Sequence, residues 1–153
     1  MVVDKLRQGQ YDAIDRCYCG KTIFDYTWHI FPIIRDHHFT LIVIHMKTNS
    51  NDIMYFDFYH STCLDDITAV HGYCRHTEQR LNLGTSQHWN IQPSAGHIRE
   101  RQVDTVSCGV YCMMIPDCLT HGINIRLLTP TSVIKCRRRI AQALLKNFCR
   151  TSE

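Results

Sequence analysis

The stretch from Phe39 to Met46, FTLIVIHM, is the clearest strand in the sequence: eight residues dominated by apolar, β-branched and aromatic types. After a polar segment dense in turn formers, KTNSND, a second run of this kind follows from Ile53 to Phe58, IMYFDF. Two strands joined by a short polar loop predict an antiparallel hairpin. Folding it near Asn49 brings the start of the first strand, around His38, beside the end of the second, around Asp57, to within a residue or two of register. A third run, WHIFPII from Trp28 to Ile34, predicts another strand, with Pro32 at an edge or a bulge.

Helical patterns surround these strands. A short helix is expected from Tyr11 to Arg16, with a turn at Gly20. Leu64 to Leu81 has apolar residues at Ile67, Val70, Tyr73 and Leu81 behind Asp65 and Asp66, the pattern of an amphipathic helix, although Gly72 interrupts it. A short strand is expected around His88 to Ile91. A further helix begins near Cys108, with Pro116 expected to kink or shorten it. Pro130 and Ser132 introduce a last helix, whose Ile134, Ile140, Leu144, Leu145 and Phe148 form one apolar stripe suited to packing. Strands and helices in this order predict an α+β fold, and 153 residues suffice for one domain with a substantial core.

Nine cysteines are many for this length, and the odd number leaves at least one unpaired within the chain. The N-terminus has no apolar core of signal-peptide length and no stretch reaches the length of a membrane span, so the cysteines are read as mostly reduced thiols of a nuclear or cytoplasmic protein. Cys17, Cys19, Cys63, Cys74 and His76 lack the paired spacing of a structural zinc site, and no metal or other cofactor is expected. The net charge of +3 is mild. Its local cluster, Arg137 to Arg139, reads as a solvated helix face, and neither a nucleic-acid nor a membrane partner is expected.

The stretch QVDTVSCGVYC, from Gln102 to Cys112, carries the chemistry. Cys108 stands where a helix begins, and unpaired N–H groups with the positive end of the helix dipole favour a thiolate there. Gly109 leaves room for a substrate backbone, and the side-chain amide of Gln102 can donate to an oxyanion. Such a thiol requires a base, and the base requires an orienting group. His38 and Asp57 are the candidates, because the hairpin sets them together at one end of the sheet. Cys112, one helical turn after Cys108, is expected to pack inward and to act as a resolving thiol only if both sulfurs face the cleft.

HHFTLIVIHM, IMYFDF and QVDTVSCGVYC, in that order, resemble the three active-site blocks of the Ulp/SENP family of cysteine proteases, which process and remove SUMO and related ubiquitin-like modifiers. LRQGQYDAIDRC, DYTWHIFPII and CRRRIAQALL resemble the flanking segments. The resemblance implies the Ulp/adenain-like cysteine-proteinase fold, in which a mixed central sheet carries a nucleophile-bearing helix and flanking helices. It also implies the site roles: His38, rather than His37, as base, Asp57 as its orienter, Cys108 as nucleophile and Gln102 as oxyanion donor. Phe39 stands where the family commonly has tryptophan, lining the tunnel for the modifier's terminal Gly-Gly, so the implied partner is a ubiquitin-like modifier or its conjugates.

Ser107 replaces a common aspartate, and Asp104 replaces an asparagine two places after the glutamine. A Trp-Leu-Asn-Asp-like segment, whose tryptophan forms the tunnel's other side, has no counterpart, so residues 1–153 are expected to form a single protease domain lacking the front of the usual family domain. Three other readings stay open: a processing protease of the same fold from a virus or mobile element, an acetyltransferase with a similar order of site residues, and a catalytically silent module that binds a ubiquitin-like protein.

Overall fold

The structure is a computed structural model and describes residues 2–48, 50–59, 63–84, 88–92, 102 and 104–150, except the side chains of residues 144 and 146–150. Four strands, β1 (Trp28–Arg35), β2 (His38–His45), β3 (Asn51–Phe56) and β4 (Trp89–Gln92), form one sheet in the order β1-β2-β3-β4. The first three are antiparallel neighbours, and β4 runs parallel to β3. The sheet is therefore mixed, as expected. Its β2–β3 hairpin is the one predicted, although Asn49 lies outside the described residues.

β1 and β2 form a second hairpin. Asp36 and His37 both take left-handed backbone angles, φ 46° and 62°, and close it with Arg35 opposite His38. A two-residue turn of this hand matches the twist of the flanking strands. β1 is an edge strand, which accommodates Pro32 where an interior strand would lose a ladder bond.

Successive side chains of β2 point to opposite faces of the sheet, and both faces are covered, which explains why FTLIVIHM is apolar at nearly every position. On one face Ile42, Ile44, Ile53 and Tyr55 pack with Val3 and Leu6 of α1 (Val2–Arg7), Ile14 of α2 (Tyr11–Asp15), and Ile67, Val70 and Tyr73 of α3 (Leu64–Arg80). α3 is the crossover that lets β4 lie parallel to β3. Gly72 has a packing reason: a Cβ there would stand 3.2 Å from the Tyr11 hydroxyl. Asp66, fully buried, takes both guanidinium nitrogens of Arg35 at 2.6 Å and Nε of Arg7 at 2.8 Å, tying α3 to β1 and α1.

On the other face Leu41, Val43, Met54 and Phe56 pack against α4 (Cys108–Thr120), the 3-10 turn Ile125–Leu127 and Val133 of α5 (Pro130–Arg150). Two expectations require correction. α4 runs through Pro116 to Thr120, so the proline does not shorten it. The stripe of α5 is not buried throughout: Ile134 and Leu145 are 53% and 66% exposed, whereas Ile140 is half-buried, and Val133, outside the stripe, is the residue that packs into the core. Leu144 and Phe148 belong to the side chains outside the description. Leu81, also expected in an apolar stripe, lies just past α3 and is exposed.

Candidate active site

His38 opens β2 and Asp57 follows the last residue of β3, so both stand at one end of the sheet. β2 pairs with β3 through Leu41 opposite Phe56, and the register continued outward carries the two side chains together. His38 Nε2 lies 2.9 Å from Asp57 Oδ1, and Asp57 is 2% exposed. A buried carboxylate accepts hydrogens, so Nε2 is the protonated ring nitrogen and Nδ1 is left as the acceptor. Nδ1 is buried and has no hydrogen-bond partner.

Cys108 is the first residue of α4, as the sequence predicts, and is 4% exposed. The amides of Val110 and Tyr111 bond the Ser107 carbonyl, so those of Cys108 and Gly109 stand ahead of the helix's own ladder. Phe39, next to His38, lies against Gly109, next to Cys108: a Cβ at Gly109 would stand 3.7 Å from the Phe39 ring. The strand that carries His38 and the helix that begins at Cys108 therefore face one another through these two residues. No hydrogen bond joins the Cys108 thiol to His38 Nδ1, and catalytic bonds of this kind often tighten only in the substrate complex.

The loop before Cys108 is held by Asp104. Its carboxylate accepts the Val106 N–H at 2.8 Å, the Ser107 N–H at 2.7 Å and the Ser107 hydroxyl at 2.6 Å. The Ser107 hydroxyl bond, then the Val106 amide bond, hold this carboxyl below its ordinary pKa of 3.8. Arg137 of α5 adds a bond to the Val106 carbonyl at 2.8 Å. Gln102 is buried, and its own N–H bonds the Phe58 carbonyl at 3.0 Å. The Gln102 side-chain amide donates to the Asp104 carbonyl and lies 3.2 Å from Asp104 Oδ1 and 3.5 Å from the Tyr59 hydroxyl. Its Oε1 is buried without a partner.

Cys112, one turn on, is 8% exposed, with Sγ 3.6 Å from the Thr40 carbonyl. Burial pushes this thiol up to about 12, with smaller contributions from Cys108 and Asp57. A cleft of about 580 Å³ opens beside Cys108, walled by Phe39, Val110, Met113 and Ile140, with His37 and Arg137 among its polar lining. The expected site residues thus fall into a bonded His38–Asp57 pair and a braced Gln102–Cys108 segment, meeting at Phe39 and Gly109. Among the described residues, no group of three metal-ligating side chains is placed to hold an ion.

Sequence reasoning missed Tyr59 and the bracing role of Asp104 and Arg137. Asp104 accepts from the amides two and three residues on, an Asx-turn pattern that a turn-forming Asp ahead of a helix could have suggested. Nothing in the sequence marks Tyr59 or singles out Arg137 from its basic neighbours.

No protein-family model matches this sequence, and no curated protein is similar to it in sequence. Among solved structures, the fold is similar to that of the SUMO protease Ulp1 with its catalytic cysteine oxidized to a sulfonic acid. That likeness has a TM-score of 0.68 at 18% sequence identity and covers 92% of this chain and 62% of that one. The fold is thus that of a Ulp-type cysteine protease, and this chain spans less than two thirds of that neighbour's length.

Proposed function

We propose that residues 1–153 form a single thiol peptidase or isopeptidase domain that cleaves after the C-terminal Gly-Gly of a ubiquitin-like modifier, in its precursor or in a lysine conjugate. The observation that carries this reading is the His38–Asp57 bond at 2.9 Å, which leaves Nδ1 buried and unpaired at the strand end facing Cys108's helix. The likeness to a SUMO protease supports the substrate class. Such a substrate places the reaction in the nucleus or cytoplasm, and among the described residues no helix is long and apolar enough to cross a membrane.

In this mechanism the Cys108 thiol gives its proton to His38 Nδ1, and the sulfur attacks the carbonyl carbon. The resulting oxyanion takes hydrogen bonds from the first amides of α4 and from Gln102. Gln102 exchanges its long contacts, at 3.2 and 3.5 Å, for the oxyanion while keeping its bond to the Asp104 carbonyl. The imidazolium then protonates the amine as the C–N bond breaks. Water attacks the thioester with its proton passing to His38, and collapse of the intermediate restores the thiol and frees the carboxylate. Asp57 holds the imidazole orientation throughout. The chemistry requires no metal or organic cofactor.

A second reading, a processing protease of the same fold acting on bulkier sequences, is favoured by one observation. The cleft beside Cys108, about 580 Å³ with apolar walls, offers more room than two glycines fill. The deciding experiment incubates the protein with a panel of ubiquitin-like modifiers bearing a C-terminal electrophile, and with short apolar peptide probes of the same chemistry. Labelling of Cys108 by a modifier, absent in Cys108→Ser, is the expected result. Labelling by peptides alone replaces the modifier reading with the second, and no labelling by either probe rejects both.

A further inference from the structure

Tyr59 follows the His38–Asp57 pair in the chain and reaches forward to the loop that carries Cys108. Its backbone N–H donates to Asp57 Oδ1 at 2.8 Å, the same oxygen that His38 Nε2 bonds at 2.9 Å. Its ring lies beside the imidazole of His38, with centroids 4.6 Å apart and planes 31° apart. Its hydroxyl donates to the Asp104 carbonyl at 2.9 Å. The Gln102 amide donates to that same carbonyl. From Asp104 the connection runs on through its carboxylate to the amides of Val106 and Ser107, and so to the start of α4.

We infer that Tyr59 is a positioning residue that holds the base and the oxyanion-side loop in one mutual geometry. The inference rests on the reading of this site as a thiol peptidase. The two halves of the site come from segments about fifty residues apart, and Tyr59 joins them alongside the contact of Phe39 with Gly109, the bond from the Gln102 N–H to the Phe58 carbonyl and the stacking of Phe58 on Tyr111. A shift of about 1 Å between such groups costs on the order of a hundredfold in rate, so a side chain that fixes their separation acts on turnover without touching substrate. The three functions of Tyr59 are separable. The backbone N–H survives any substitution except proline, the ring survives Tyr59→Phe, and that variant loses the hydroxyl's bond to the Asp104 carbonyl together with its 3.5 Å contact to the Gln102 amide.

The test uses wild type, Tyr59→Phe and Tyr59→Leu with two readouts. The first is steady-state cleavage of a modifier carrying a C-terminal fluorogenic amide. The second is the rate of Cys108 alkylation by iodoacetamide at neutral pH, followed by peptide mass, which reports the thiol and imidazole without any substrate.

Tyr59→Phe is expected to lower kcat about tenfold with KM unchanged and Cys108 alkylation within about twofold of wild type, since the ring on His38 remains. Tyr59→Leu is expected to lower both kcat and alkylation by about tenfold or more. Wild-type kcat in Tyr59→Phe overturns the inference. So does an equal fall of kcat, alkylation and melting temperature in both variants, which is what a merely structural residue produces. If the wild type cleaves no modifier, the modifier reading fails by itself. The alkylation arm then decides on Tyr59 alone: an unchanged rate in Tyr59→Leu overturns its role, and a rate reduced about tenfold without a fall in melting temperature upholds it.

Discussion

The two faces of the sheet use the same strands for different ends. On the α3 face charge is neutralised by charge: Asp66 is enclosed between Arg35 and Arg7, and its surroundings are apolar. On the α4 face polar groups stand at the sheet's open end with capacity to spare. His38 Nδ1 and Gln102 Oε1 are buried without partners, and Val106 and Met113 are 64% and 55% exposed around the cleft. A buried polar atom left without a partner costs on the order of 1–3 kcal/mol. His29 Nε2, on the face of Phe31 and Ile33, is unpartnered as well, so what sets the second face apart is that its unpartnered atoms stand at the sheet end that meets the helix of Cys108.

This contrast predicts which substitutions move activity and which move stability. The largest effect is expected at Cys108→Ala, which should lower turnover about 10⁴-fold or more while leaving the melting temperature nearly unchanged. A large loss of stability in that variant would break the comparison. Across the sheet, Asp66→Ala leaves two guanidinium groups without their carboxylate and should cost about 3–5 kcal/mol in denaturant unfolding. Its thiol reactivity at Cys108, measured on the folded fraction, should stay at the wild-type level.

A gentler effect follows from buried thiols on both faces. Burial pushes Cys112 up to about 12 from 9.0, and it raises Cys74 further, with Glu78 adding to the shift. A thiol whose folded pKa is raised binds its proton more tightly in the native state, so the stability it supports is intact below the unfolded value and declines as pH rises through the interval above it. Unfolding midpoints should therefore be level up to about pH 9 and fall toward pH 12. Cys74→Ala and Cys112→Ala, combined, should flatten that fall. The smallest effect is expected at Ser107→Ala, which removes one bond to a carboxylate that keeps two backbone donors. It should cost about 1 kcal/mol or less, with a several-fold loss of turnover as the loop before Cys108 loosens.

Local pattern made much of this legible. β2 and β3 announced themselves by composition, and the turn-rich linker set a register that predicted the His38–Asp57 bond. The start of α4 at Cys108 followed from the apolar run after Gly109. What depended on distant partners was hidden. The apolar stripe of α5 is real in the sequence, yet the fold turns Ile134 outward and buries Val133, because helical periodicity identifies a face without saying where the neighbouring element lies. Pro116 carries a strong breaking signal, and tertiary packing of Ile115 and Cys118 against the sheet carries α4 past it.

Asp104 and Ser107 looked like two independent departures from the family pattern. In the structure they are one unit: the serine hydroxyl donates to the carboxylate at 2.6 Å. An acidic side chain stands at 104, three residues before the position where the resembled pattern has one, and the Ser107 hydroxyl donates to it. Such an exchange is visible only when both side chains are placed in space.

The sheet's strand order repeats the chain order, β1-β2-β3-β4. Neighbours in sequence are neighbours in space, so loop closure is cheap for the hairpins that hold His38 and Asp57, and they can form early in folding or on the ribosome as the N-terminal half emerges. The helix that begins at Cys108 comes later in the chain and packs on this sheet. The pairing of Cys108 with His38 is therefore a long-range contact, made late on the argument from contact order, whereas the His38–Asp57 contact is local to one hairpin.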